Sequence, residues 1–327
     1  MTNEARRAGW AAGFQQRVEA HWTRARLRSQ FGDKKLLLPP VEAGTLLRAL
    51  GLLRGDGSMS PQSVRKYLQV SHMVGLLEPL LLDLAQAHDV VRVLDAGCGR
   101  SYLALLIAWC FENRYHHPVE VLGVDHNPQL IETCRQRAPL AGVERSLRFV
   151  CSRIADLDVE QAWQQAFGTS EEVRVHGLVA LHACDTATDE ALALGVGLGA
   201  TMIAAAPCCH AELARTWSET PACEPPDPWA PVRRSPHLRR EAAATMTDAM
   251  RTLLLRGAGY DVTAMEFVPS EHTPKNTLLR AMLRGDPDAA ALDEYVALRE
   301  ALGGGCIRLE QLLPAPLREQ LAGRCSL

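Results

Sequence analysis

The 327-residue chain has no apolar run of about 20 residues, so a transmembrane helix is not expected. Its opening, MTNEARRAGWAAGFQQ, carries charges and glutamines where a secretory leader needs an apolar stretch, so no export signal is expected. No Cys-x-x-Cys pair occurs among the 10 cysteines, which removes the usual zinc-finger spacing. The cysteines therefore read as reduced thiols of a cytoplasmic protein, several of them acting as small hydrophobes inside apolar segments. No internal repeat is present, which excludes a repeat array.

What is present is an ordinary globular composition. With 47% apolar and 22% charged residues, a core can form and wholesale disorder is excluded. The net charge of −3 hides an asymmetry: residues 1–72 hold 12 Lys+Arg against 5 Asp+Glu, a surplus of 7 that leaves −10 for the remainder. A basic segment on an acidic body suits a polyanionic partner, most simply nucleic acid, although a solvated helix surface would show the same balance.

Three regions follow from the patterning: a basic helical N-terminal region over 1–75, an α/β domain over 76–285 and a helical tail over 286–327. In the first region, helices are expected from Ala5 to Arg28, from Glu42 to Leu53, and from Pro61, capped by Ser60, to about Ala87. From Val90 onward, strands alternate with helices. The strands read as 90–94, 120–124, 146–150, 177–181 and 201–206, then a closing antiparallel pair, 261–268 and 277–283. Repeated βα units imply a parallel sheet with right-handed crossovers. Residues 216–240, rich in Pro and Arg, read as a long insertion, with Arg233, Arg234, Arg239 and Arg240 as a candidate backbone clamp or a solvated linker.

The segment Val91-Arg92-Val93-Leu94-Asp95-Ala96-Gly97-Cys98-Gly99-Arg100-Ser101-Tyr102 carries the strongest signal. A strand delivers Asp95, a Gly-containing turn follows, and a helix begins. Gly97 and Gly99 let the backbone approach a ligand without a Cβ in the way. A dinucleotide loop would read GxGxxG, but Tyr102 occupies its third Gly position. DxGxG is instead the pattern of S-adenosyl-L-methionine-dependent methyltransferases. Asp125, at the end of the second strand in Gly123-Val124-Asp125-His126-Asn127, can accept both hydroxyls of a ribose. Asp156, after the third strand, falls where an adenine-edge contact is expected, and a plain surface turn reads equally well.

DAGCGRSYL, GVDHN, LHACDTATDEAL, APCCH and SEHTPKN, in that order, resemble the methyltransferase family of the glutathione-transferase-C-terminal-domain-containing protein and its bacterial relatives. HACDTATD with PCCH is also similar to motifs of the eukaryotic tRNA acceptor-stem 2′-O-methyltransferases. The resemblance spans about Pro61 to Leu283. It implies an α/β fold with a Rossmann-like seven-stranded class I methyltransferase sheet and a helical N-terminal extension, S-adenosyl-L-methionine as cofactor and RNA as substrate. Ser101 stands where the first motif commonly has Gly.

Ligands of open α/β sheets sit beyond the carboxyl ends of the strands. His182 is assigned there to the cofactor, with Asp95, Gly97, Gly99, Asp125 and Asp156. Asp185 or His210 is the candidate base, because a ribose hydroxyl is a poor nucleophile. Cys208 and Cys209 would line the acceptor pocket. Lys275 would meet a phosphate and Asn276 would position the acceptor. No metal is assigned to His182, Cys184, Cys208, Cys209 and His210, since adjacent cysteines lack the usual ligand gap.

Overall fold

The computed structural model describes residues 3–33, 36–169, 172–181, 183, 186–207, 211–219, 228–267 and 276–324. Four helices come first: α1 (Asn3–His21), α2 (Arg24–Phe31), α3 (Gly44–Ala49) and α4 (Pro61–Ala87). The single helix expected from Ala5 to Arg28 is thus two. Thr23 breaks it by taking an extended conformation and accepting the Arg26 N–H on its hydroxyl, an N-cap inside the run. The stretch expected to be helical from Glu42 to Leu53 is shorter, because Gly51 turns the chain at positive φ. α4 begins as expected, with the Ser60 hydroxyl accepting the Ser63 N–H and Pro61 in the first turn.

The alternating part runs β1 (Val91–Ala96), α5 (Tyr102–Cys110) with a π-helical turn at Phe111–Tyr115, β2 (Val119–Asp125), α6 (Pro128–Ala141), β3 (Leu147–Cys151), α7 (Val159–Phe167), β4 (Gly177–Ala180), α8 (Thr186–Gly197) and β5 (Met202–Ala205). Then follow α9 (Ala211–Glu219), α10 (Ala230–Arg234), α11 (Pro236–Gly257), β6 (Tyr260–Glu266), β7 (Thr277–Leu283), α12 (Ala289–Ala301), α13 (Arg308–Leu312) and α14 (Ala315–Arg324). The sequence read 216–240 as a loop; the structure makes much of it helical. Arg233 is no clamp: its side chain is buried over the Trp217 ring and donates to the Leu302 carbonyl at 2.7 Å.

The seven strands form one sheet in the order β3-β2-β1-β4-β5-β7-β6. β7 is antiparallel to both neighbours and the other pairings are parallel, as the Rossmann-like class I methyltransferase expectation requires. Strand order reverses between β1 and β4, which opens a crevice at the carboxyl edge there.

Successive strand residues face opposite layers. Val91 and Val93 join Phe14, Val18, Leu47, Tyr67, Leu77 and the apolar faces of α5 and α6 on one side. Leu94 and Ala96 join Trp163, Leu178, Leu192, Leu254 and Tyr295 on the other. The N-terminal helices are therefore a covering layer of the sheet, and residue 75 falls inside α4. Trp22 and Phe31 stack at 5.6 Å in this layer, and the Trp22 indole donates to the Gly57 carbonyl at 2.8 Å. α4 is long and apolar enough by composition to cross a membrane. Here it is a core helix, burying Tyr67, Val70, Met73, Val74, Leu77, Leu80, Leu81 and Leu84.

Candidate functional site

The parallel register sets Ala96 beside Val124, so β1 hands over to its loop where β2 ends in Asp125. The loop is pinned to that strand by the Gly97 and Cys98 N–H groups, which donate to the Val124 carbonyl at 2.9 and 2.8 Å. It turns through the left-handed region at Gly97 (φ 74°), Gly99 (φ 54°) and Ser101 (φ 57°). The Ser101 conformation explains why Gly would suit that position. A Cβ on Gly97 would also stand 3.4 Å from the Ala183 methyl.

Asp125 clamps the loop. Its Oδ2 accepts the Gly99 N–H at 3.0 Å and its Oδ1 accepts the Asn127 N–H at 2.8 Å. A carboxylate offers about four lone-pair positions, so two stay open for hydroxyls. Asn127 starts α6 by accepting the Gln129 and Leu130 N–H groups. Two thiols brace the loop from behind: Cys134 donates to the Gly99 carbonyl at 3.3 Å and pairs with Cys98. That pairing, then burial, pushes the Cys98 thiol up.

Asp95 takes a different place from the one expected. It is 2% exposed and its carboxylate accepts the Ala104 N–H, in the first turn of α5. Burial raises it to about 7, with the Asp125 charge adding to the rise. Asp95 therefore supports the loop and the helix start rather than lining the cleft. Asp156 is exposed after β3, in a 3₁₀ turn, 3.9 Å from Arg153 Nε. Asn276 precedes β7 and its amide donates to Glu266 Oε1 at 2.6 Å across the strand pair, at the same sheet edge as the loop. His182, Asp185, Cys208, Cys209, His210 and Lys275 lie outside the described residues. Two of the described residues of the HACDTATD run are structural: the Thr188 hydroxyl donates to the Ala183 carbonyl at 2.6 Å, and Asp189 is buried against Arg251.

Over this edge lies a cleft of about 520 Å³, inside the range of small-molecule sites. Gly99, Arg100 and Tyr102 contribute from the loop and α5, Leu130 from α6, Leu181 from the end of β4, and Phe267 from the end of β6. α4 forms its roof with Lys66, Gln69, Val70 and Met73. A second hollow of about 390 Å³ shares Lys66 and Gln69 and adds Gln62 and Arg65. The sequence reading missed the whole α4 contribution. A signal was present: Gln62, Arg65, Lys66 and Gln69 follow helical spacing as one polar stripe along the first two turns of the helix.

Residues 65–216 match the model of a family described as a methyltransferase domain. The mitochondrial citrate synthase-lysine N-methyltransferases of Homo sapiens and Pongo abelii are each 50% identical to the chain over 54 residues. That alignment takes in 16% of this chain and 20% of those enzymes, so the chain spans about a fifth of the length of these curated relatives. Among solved structures, the SAH-bound methyltransferase PaMTH1 of Podospora anserina is 14% identical, with 80% of this chain and 94% of that one covered and a TM-score of 0.41. An rRNA methylase of Streptococcus thermophilus is 10% identical, with 64% and 96% covered and a TM-score of 0.38. Likeness at these scores bears on neither substrate nor mechanism.

Proposed function

We propose that the chain is a methyltransferase that moves the methyl group of S-adenosyl-L-methionine onto RNA. The observation that carries this reading is the Asp125-clamped loop at the edge of the cleft, set in the span that matches a methyltransferase domain. The residues present fit the cofactor. Gly97 and Gly99 leave the loop backbone bare, Asp125 keeps two acceptor positions for ribose hydroxyls, and the buried Ser101 hydroxyl, at the start of α5, has no partner.

When bound, the cofactor supplies a methyl group already activated by its sulfonium. The chain then has to orient two partners and keep water away. Val70, Met73, Leu130, Leu181 and Phe267 give the cleft the apolar lining that this needs. Asp185 and His210 stay the candidates for taking the acceptor proton, and Cys208, Cys209 and Lys275 the candidates for binding the acceptor. Asn276 is held at that edge by Glu266.

RNA is favoured by where the N-terminal charge ends up. Arg17, Arg26 and Arg48 donate to the carbonyls of Gly55, His21 and Leu53 and are engaged within the fold. Arg65 on α4 and Arg100 on the loop instead border the two hollows, a cationic rim for a phosphodiester strand. A protein lysine is the second reading, favoured by the 50% identity over 54 residues to an enzyme named for that acceptor.

Labelled methyl transfer from S-adenosyl-L-methionine into a cell extract, followed by nuclease or protease digestion, tests the proposal. Nuclease-sensitive label is expected. Protease-sensitive label would move the assignment to the second reading, and absence of transfer would remove both.

A further inference from the structure

The cleft has a cationic corner that the cofactor loop does not account for. Lys66, on the second turn of α4, stands with its Nζ 2.9 Å from the Tyr102 hydroxyl and 4.0 Å from the centroid of the Tyr102 ring. The Tyr102 hydroxyl donates onward to the Leu50 carbonyl at 2.9 Å. Tyr102 is the first residue of α5, directly after the loop. The α3 end, the roof helix and the helix that follows the loop thus meet at one phenol.

The charges at this corner are one-sided. Among the described residues, no carboxylate lies within 4 Å of Lys66 or Arg100. The acids of β1 and β2 beside the loop are turned elsewhere, Asp95 to the Ala104 N–H and Asp125 to those of Gly99 and Asn127. At the start of α5 the Asp95 carboxylate takes the Ala104 N–H while Ser101 gives no side-chain cap, so the first N–H groups of the helix add partial positive charge. Lys66 lines the same cleft as Gly99 and Arg100 of the loop. The complement of such a corner is a small carboxylate, and S-adenosyl-L-methionine carries one, at its amino-acid end.

We infer that Lys66 is the counter-ion of the cofactor's carboxylate, and that Tyr102 is the positioning residue that parks the ammonium beside the loop. The assignment rests on the cofactor reading above and adds to it a residue from outside the loop. It gives the N-terminal region a part in cofactor binding as well as in covering the sheet.

The test is calorimetry with two nucleosides on the full chain. S-adenosyl-L-homocysteine has the amino-acid carboxylate; 5′-methylthioadenosine lacks it. Lys66→Met should weaken S-adenosyl-L-homocysteine about tenfold or more, the size expected of one charge-assisted contact, and leave 5′-methylthioadenosine unchanged. Lys66→Arg should restore most of the loss. Tyr102→Phe should fall between, with the deficit again confined to the ligand that has the carboxylate. The 5′-methylthioadenosine affinity doubles as the folding control.

Equal losses for both nucleosides would make Lys66 a merely structural residue and overturn the assignment. So would an unchanged S-adenosyl-L-homocysteine affinity in Lys66→Met; if RNA binding alone then fell, the ammonium would belong to the acceptor side. A wild-type chain that binds neither nucleoside would instead overturn the cofactor reading itself, and the Lys66 assignment with it.

Discussion

Arg251 on α11 grips Asp189 on α8 with two prongs, Nε to Oδ1 at 2.8 Å and a terminal nitrogen to Oδ2 at 3.1 Å, and both side chains are 1% exposed. Asp248 adds a third contact at 3.2 Å. Asp189 closes the HACDTATD run, which holds the candidate base Asp185, yet it ties two helices together in the core. Removing the Asp189 charge leaves the buried Arg251 with Asp248 alone, which should cost toward the lower end of the about 3–5 kcal/mol of a broken buried pair. Asp189→Asn should therefore lower the denaturant midpoint sharply, with the slope of the transition unchanged. A variant as stable as the wild type would refute this structural role.

A second link joins the roof to the sheet. Pro79 lies inside α4 and cannot donate to the carbonyl one turn back. Close by, the Arg280 guanidinium of β7 reaches across and donates to the Leu76 carbonyl at 2.6 Å. Losing this charged donor should cost about 1–3 kcal/mol. Arg280→Met should also weaken S-adenosyl-L-homocysteine binding, because α4 carries Lys66, Val70 and Met73 into the cleft. A drop in thermal midpoint with unaltered affinity would separate the anchor from the site.

The clamp on the loop gives a third expectation. Asp125→Ala removes the acceptor for the Gly99 and Asn127 N–H groups and the two positions left for a ribose. Calorimetry should show S-adenosyl-L-homocysteine affinity lost or reduced at least about a hundredfold, since two charge-assisted contacts go together. The chain should remain folded, its core intact on both faces of the sheet. Unchanged affinity would refute the cofactor assignment.

Local signals in the sequence carried the order of the βα units and the loop. Ser60-Pro61 and Asn127-Pro128 each state a helix start in two residues, and α4 and α6 begin there. The break at Thr23 was also local, but the helix formers on either side outweighed a single cap in the reading. α7 has no counterpart there at all, although Val159, Ala162 and Trp163 make an inward face with helical spacing. Pro and Arg made 216–240 look like a loop; Pro236 instead sits in the first turn of α11, and Arg233 finds Trp217 and Leu302 only once α9 and α12 are in place. Lys66 belongs to the same class. Its meeting with Tyr102, 36 residues on, depends on the roof crossing the end of β1, which no spacing encodes.

Two buried groups should pull the pH dependence of stability in opposite directions. Burial first, then His88, Arg92 and Arg174, hold the His176 imidazole down at about 4 from its ordinary 6.5. Its Nδ1 accepts the Arg92 N–H at 3.1 Å and its ring stacks on His88 with centroids 3.6 Å apart, both suited to a neutral ring. Between those two values the unfolded chain holds a proton that the native chain lacks, so stability is full above 6.5 and is lost as the pH falls through 4. Asp95 runs the other way. Raised from 3.8 to about 7, it gives the native chain the extra proton, so its contribution is full below 3.8 and is lost as the pH rises through 7. His176→Asn, which keeps an acceptor for Arg92, should flatten the acid limb of a denaturant-midpoint profile. Asp95→Asn should stabilise the chain more at about pH 8 than at about pH 5, because only at the higher pH is a buried carboxylate being relieved. An acid limb as steep in His176→Asn as in the wild type would place the sensitive group elsewhere. An Asp95→Asn gain independent of pH would mean that the native carboxyl never holds its proton in that range.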